Sequence, residues 1–192
     1  MSIETEQLYS DFMTKAFSNN PIKYRINLFN QVRDIPYQTV KVHSWEEALE
    51  ENIGGCGAKH RLLKKCLEDL GYKCRFAYVP YSWADINWIP ENLKDGSQYN
   101  RRDLHTFLEV LINNKWTILD ATWNKELADF APVNSSWDGM SDTKIAVPYT
   151  KIYHGDDTNE LRRQLNCNKD GTPTEEQLDW ITKFNNWMNS FL

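Results

Sequence analysis

The strongest constraint on this chain is a pair of glycines, a cysteine and the apolar stripe behind them. Gly54-Gly55 ends whatever element precedes it. Leu62, Leu63, Cys66, Leu67 and Leu70 then recur at the three- and four-residue spacing of a helix that opens at Cys56. Gly71 stands where the chain needs a left-handed residue to leave that helix, a conformation glycine adopts without steric cost. "YKCRFAYV" (72–79) follows as a strand. "LHTFLEVLI" and "KWTILDATW" make two more, joined by Asn113-Asn114, residues that tolerate the positive φ of a tight hairpin. A one-sided helix followed by antiparallel strands predicts an α+β fold in which the Cys-bearing helix packs centrally on the sheet.

Helices flank that core. Leu8, Phe12 and Ala16 mark a first helix that stops near Ser18-Asn19-Asn20-Pro21. Ile22, Ile26, Phe29 and Val32 mark a second, which ends by Asp34-Ile35-Pro36 because proline disfavours helical geometry in the residue before it. Extended chain is expected from Tyr37 to Val42. Ser44 and Glu47 then have the capping-box spacing of a short helix reaching to near Ile53. A single long loop is expected from Pro80 to Asp103, lying over the site and carrying Trp83 and Trp88. Irregular chain follows Trp123, then a charged helix near 157–166. A last helix is expected with Thr172 as N-cap, Pro173 at N1 and Glu175 at N3, its stripe formed by Leu178, Ile181, Phe184, Trp187 and Phe191. No repeat or low-complexity linker divides these parts, so the reading is one domain over 1–192. Its core is about 22–125 and its C-terminal helical extension about 126–192.

Composition narrows the function. Among 192 residues, 41% are apolar and eight are Trp, which fits a packed domain and not a disordered chain. The formal charge of −5 provides no basic footprint, so nucleic acid is not an expected partner. No run approaches 18 apolar residues and the acidic start lacks a signal-peptide core, so a cytoplasmic location with no membrane partner is expected. In that compartment Cys56, Cys66, Cys74 and Cys167 are expected as free thiols.

Cys56 is the thiol with a chemical context. A thiol attacks as thiolate, and a helix N-terminus or a nearby imidazolium favours that form. A base is available on the hairpin. If Asn113-Asn114 is a two-residue turn, Ile112 pairs with Lys115, Phe107 with Asp120 and His105 with Thr122. His105 and Asp120 are then diagonal neighbours on one face, within reach of a carboxylate–imidazole hydrogen bond. A three-residue turn would send them to opposite faces.

"GGCGAKHRLLKKCLEDLGYKCRF" followed by "LHTFLEV" and "KWTILDATW", with "LFNQVRDIPY" ahead of them, resembles the transglutaminase-like superfamily core over roughly 26–125. The resemblance implies a papain-like α+β fold with Cys56 as nucleophile, His105 as general base and acid, and Asp120 as the orienting carboxylate. It further implies a thioester acyl-enzyme formed on a protein or peptide substrate, without cofactor or metal. Peptide cleavage, deamidation and amine transfer all stay open. The chain lacks the length and companion domains of the animal cross-linking enzymes. The Cys56 N–H is one natural oxyanion donor, and Gln38, Trp45 or Asn52 is a candidate for the second. Gly55 permits close approach of substrate backbone, and Trp83 and Trp88 either line a groove or pin the loop to the core.

Rival readings use the same residues. Cys56 and His60 stand four apart, with Cys66 and Cys74 as conceivable companions for zinc, but no CxxC or HxxxH accompanies them. "NCNKDGTPTEEQ" (166–177) partly matches a calcium loop, but Asn166 and Gln177 stand at its first and twelfth positions and Pro173 stands where an apolar residue belongs, and a turn with a helix cap explains the same residues. Arylamine acetyltransferases share the triad, but their Arg-Gly-Gly-x-Cys run is missing. An idle peptide-binding module of the same fold is the alternative from another functional class. Glu109 is left facing either solvent or the cleft, and the oligomeric state is open.

Overall fold

The computed structural model describes residues 2–39, 42–95, 101–167 and 174–192. Its elements are α1 (Ile3–Ala16), α2 (Pro21–Arg33), α3 (Trp45–Glu50), α4 (Cys56–Asp69), β1 (Cys74–Ser82), β2 (Arg102–Ile112), β3 (Lys115–Leu119), α5 (Thr158–Gln164) and α6 (Glu175–Asn189). This is the expected α+β architecture of helices with an antiparallel sheet, in strand order β1-β2-β3. The chain forms two compact units. One comprises Met1–Arg75 and Phe107–Ala146, the other Phe76–Thr106 and Val147–Leu192.

In the first unit α4 is the buried helix. Leu62, Leu63, Cys66 and Leu67 are fully buried, as are Leu28, Phe29 and Val32 of α2, the helix packed against it. The end of α4 follows from Gly71 at φ +84°. Gly71 N–H donates to the Glu68 carbonyl and Tyr72 N–H to the Leu67 carbonyl, the paired bonds that close a helix through a left-handed residue. The Ser44–Glu47 capping box starts α3 as predicted, although the helix ends at Glu50. Of the extended chain expected from Tyr37 to Val42, the described part forms a single parallel bridge, Tyr37 to Gly54; Val40 and Lys41 lie outside the described residues.

The β2–β3 register is Ile112 to Lys115 through Leu108 to Leu119, as a two-residue turn requires. Asn113 and Asn114 have φ of 49° and 63°. The expected strand through Trp123 stops at Leu119, because side chains capture the next backbone donors. Asp120 N–H goes to Thr143 Oγ1, Ala121 N–H to His60 Nε2 and Thr122 N–H to Asp120 Oδ1. A backbone whose amides are so engaged cannot extend the ladder.

The second unit is built on aromatic packing. Trp83, 1% exposed, meets Trp180 at 5.4 Å and Phe184 at 4.8 Å between ring centroids. Between Pro80 and Asp103, β1 runs on to Ser82 and β2 begins at Arg102. Two short 3-10 turns, Trp83–Asp85 and Glu91–Leu93, take up part of the expected loop. The cap of α6 differs from expectation. Thr174, not Thr172, is the N-cap, and its side chain and that of Gln177 each accept from the other's backbone N–H. Thr172 and Pro173, with half of the segment weighed as a calcium loop, lie outside the described residues. Within α6, Trp180, Ile181, Phe184 and Met188 are buried, whereas Leu178, expected on the apolar stripe, is 47% exposed. Among the described residues no helix is long and apolar enough to cross a membrane.

The hairpin gives a direct test. Asn114→Gly should keep or raise stability, since glycine takes positive φ freely, whereas Asn114→Val should lower it by about 1–2 kcal/mol in urea unfolding. Equal stability of the two variants would contradict the turn geometry.

Candidate active site

Cys56 is the first residue of α4 and is partly exposed. Its approach is fixed by the segment after α2. Gly54 N–H donates to the Pro36 carbonyl at 3.0 Å, and Gln38 N–H donates to the Gly54 carbonyl at 3.3 Å. A Cβ on Gly55 would stand 3.3 Å from the Gln38 carbonyl oxygen, so the missing side chain lets the two strands of chain lie together. Of the candidate oxyanion donors, Gln38 is therefore brought to the turn before Cys56. Trp45 opens α3 and packs edge-on against Tyr9 at 5.3 Å. Asn52 is exposed at φ 49°, the residue that turns the chain out of α3.

Asp120 follows β3 at 1% exposure, with its backbone and both carboxylate oxygens hydrogen-bonded. Its N–H donates to Thr143 Oγ1 at 2.8 Å and its carbonyl accepts from Asn134 Nδ2 at 2.8 Å. Its Oδ1 accepts from Thr122 N–H at 3.1 Å and its Oδ2 from Ala146 N–H at 2.8 Å. Backbone amides directed at both oxygens favour the anion and fix the carboxylate plane.

Two residues that sequence reasoning did not assign complete this region. Lys59, wholly buried, donates to the carbonyls of Arg33 at 2.8 Å, Ile35 at 2.8 Å and Thr122 at 2.7 Å. All three ammonium protons are thus used, and one side chain joins the exits of α2 and β3 to the first turn of α4. Burial pulls the Lys59 pKa down to about 7, against the opposing pull of the Asp34 and Asp120 carboxylates. His60, also fully buried, bonds through Nδ1 to the Cys56 carbonyl at 2.7 Å and accepts at Nε2 from Ala121 N–H at 2.9 Å. Backbone groups thus engage both ring nitrogens, which leaves no basis for pairing His60 with Cys56 as zinc ligands. The signal was present in the sequence: Lys59 and His60 fall on the same helical face as Leu63, Cys66 and Leu67, where polar residues need partners.

In the other unit His105 lies on β2, 2% exposed, with Tyr81 edge-on at 6.3 Å. Trp83 is a core residue of that unit, and Trp88 stacks on Trp187 at 5.9 Å. Glu109 accepts from Arg75 Nε at 2.6 Å, and the Arg75 guanidinium covers the Trp116 ring at 4.2 Å. Burial pushes the Cys66 and Cys74 thiols up to about 12, so neither is suited to act as a thiolate.

No protein-family model and no curated protein matches the sequence. Among solved structures, the chain is similar to one described as "a Putative Cysteine Protease from Cytophaga hutchinsonii", at 17% identity and a TM-score of 0.44. The match covers 79% of this chain and 47% of that one, so this chain spans about half the length of its structural neighbour.

Lys59→Met should cost about 3 kcal/mol or more in denaturant unfolding, because it strands three buried carbonyls at about 1–3 kcal/mol each. The sign with pH follows from the lowered pKa. Between about 7 and its ordinary 10.5, the unfolded chain holds the Lys59 proton more tightly than the folded one. The contribution of Lys59 to stability therefore rises with pH across that window. The margin of wild type over Lys59→Met should widen from pH 7 to pH 9, and a margin that narrows would contradict the assignment.

Proposed function

We propose that this protein is a cysteine-dependent enzyme that cleaves or transfers acyl groups at amide bonds of proteins or peptides, through a thioester on Cys56. The supporting observation is the first turn of α4. Cys56 opens the helix, the glycine turn before it is bonded to Gln38, and the same helical turn carries the side chains that bond to the residues around Asp120. The hairpin also has the two-residue-turn register that the His105 and Asp120 roles presuppose, with its ladder ending at Leu119, just before Asp120.

In this reaction the Cys56 thiolate attacks the substrate carbonyl carbon, and the oxyanion is met by the Cys56 N–H, one of the unpaired donors at a helix start. Gln38 is the second donor. His105, oriented by Asp120, gives its proton to the leaving amine as the C–N bond breaks, which leaves the thioester. Water or a second amine then attacks while His105 takes back a proton, and the C–S bond breaks to regenerate the thiolate. Gly55 leaves room for substrate main chain beside the nucleophile. The resemblance to transglutaminase-like proteins makes hydrolysis and amine transfer two outcomes of one acyl-enzyme, separated by which nucleophile enters.

The test is to offer dimethylcasein and a peptide mixture with hydroxylamine present, and to read ammonia release, new N-termini and hydroxamate. Wild type should turn over and carry an acyl adduct on Cys56, and Cys56→Ala should show neither. His105→Ala should fall by about 10²-fold or more. Turnover surviving in Cys56→Ala, or a wild-type protein that binds peptides without any adduct, would overturn the proposal; the second result would point to a binding module.

A further inference from the structure

His60 occupies a position that the acyl-transfer chemistry does not itself use. Its imidazole lies between two backbone groups that belong to the two ends of the candidate site, the carbonyl of Cys56 and the N–H of Ala121. A carbonyl oxygen only accepts and an amide N–H only donates. Nδ1 must therefore carry the proton and Nε2 must be bare, so these partners specify one neutral tautomer. Nε2 stands 3.7 Å from Asp120 Oδ1, and both side chains are fully buried. An imidazole turned the other way would donate toward that carboxylate and draw on its negative charge. With Nε2 committed to Ala121 N–H, His60 fixes the peptide that carries Asp120 without donating to its carboxylate.

We infer that His60 is a positioning residue, which holds the Asp120–Ala121 peptide in register with Cys56 and keeps the Asp120 carboxylate available to a different imidazole. The inference rests on the acyl-transfer reading, in which that imidazole is His105. Lys59, next in the helix, supports the same alignment from the Thr122 carbonyl. The two halves of the His60 link are chemically separable. An Asn side chain puts an N–H where Nδ1 is and reaches no further. A Gln side chain can put an oxygen acceptor where Nε2 is, and the Cys56 carbonyl then relies on the main-chain N–H four residues on in the helix.

The readout is the ratio of Cys56 alkylation rates by iodoacetamide at pH 6 and pH 9, followed by peptide mass spectrometry at a temperature where circular dichroism shows each protein folded. A residue that only stabilises the fold leaves this ratio unchanged in any folded variant. His60→Asn and His60→Phe should lower it by about tenfold, and His60→Gln should restore it to within about threefold. On wild type, long-range proton–nitrogen NMR should show His60 protonated at Nδ1 and bare at Nε2, a result independent of how the variants fold. An activated wild-type ratio that stays unchanged in folded His60→Asn, or a His60 protonated at Nε2, overturns this inference and leaves the acyl-transfer reading intact. A wild-type ratio no higher than that of an ordinary thiol of pKa about 8.5 overturns the acyl-transfer reading, and this inference with it.

Discussion

One buried lysine organises the first unit. The Lys59 side chain is removed from water, three carbonyl oxygens replace its lost hydration, and those oxygens come from two distant parts of the chain. Satisfying them fixes where α2 ends and where the chain leaves β3, relative to the first turn of α4. Removal of the lysine would leave three acceptors buried, so the segments are tied to one another by the cost of separating them. The residues proposed to act on a substrate from this unit, Gln38, Cys56 and Asp120, each lie within four residues of an atom that Lys59 contacts or of Lys59 itself.

Around that anchor the chain uses small, inexpensive devices to present Cys56. The glycine turn carries no side chains, so Gln38 can lie against it, and the bridge between Tyr37 and Gly54 aligns the two. The N-cap of α4 is Gly55, which has no side chain to bond the first main-chain N–H groups of the helix. Asp120 receives the opposite treatment, with its backbone and both carboxylate oxygens engaged. In the proposed mechanism the nucleophile must be approachable and the orienting carboxylate must not move, and the two local geometries differ in that sense.

Much of this was legible from residue spacing, because the determinants are local. The Ser44 capping box, Gly71 and the Asn113-Asn114 turn each act through neighbours a few residues away, and the turn alone sets the register of the hairpin. What escaped sequence reasoning depends on partners distant in the chain. β3 stops early because Thr143, His60 and the Asp120 carboxylate take its amides, and no pattern within "KWTILDATW" encodes that. Lys59 and His60 stand out only as polar residues on an apolar helix face, and the Thr122 carbonyl and Ala121 N–H that engage them are distant in the chain. The cap of α6 falls two residues later than expected, because Thr172-Pro173 and Thr174 both offer acceptable helix starts and the reciprocal Thr174–Gln177 capping box forms at the second.

The central claim is that Cys56 acts as a thiolate paired with the imidazole of His105. It is tested most directly by the full pH–rate profile of Cys56 alkylation in wild type and His105→Ala. The account predicts labelling that persists well below pH 7 in wild type, with this acid limb lost in His105→Ala. Profiles that coincide, both rising only around an ordinary thiol pKa of about 8.5, would contradict it.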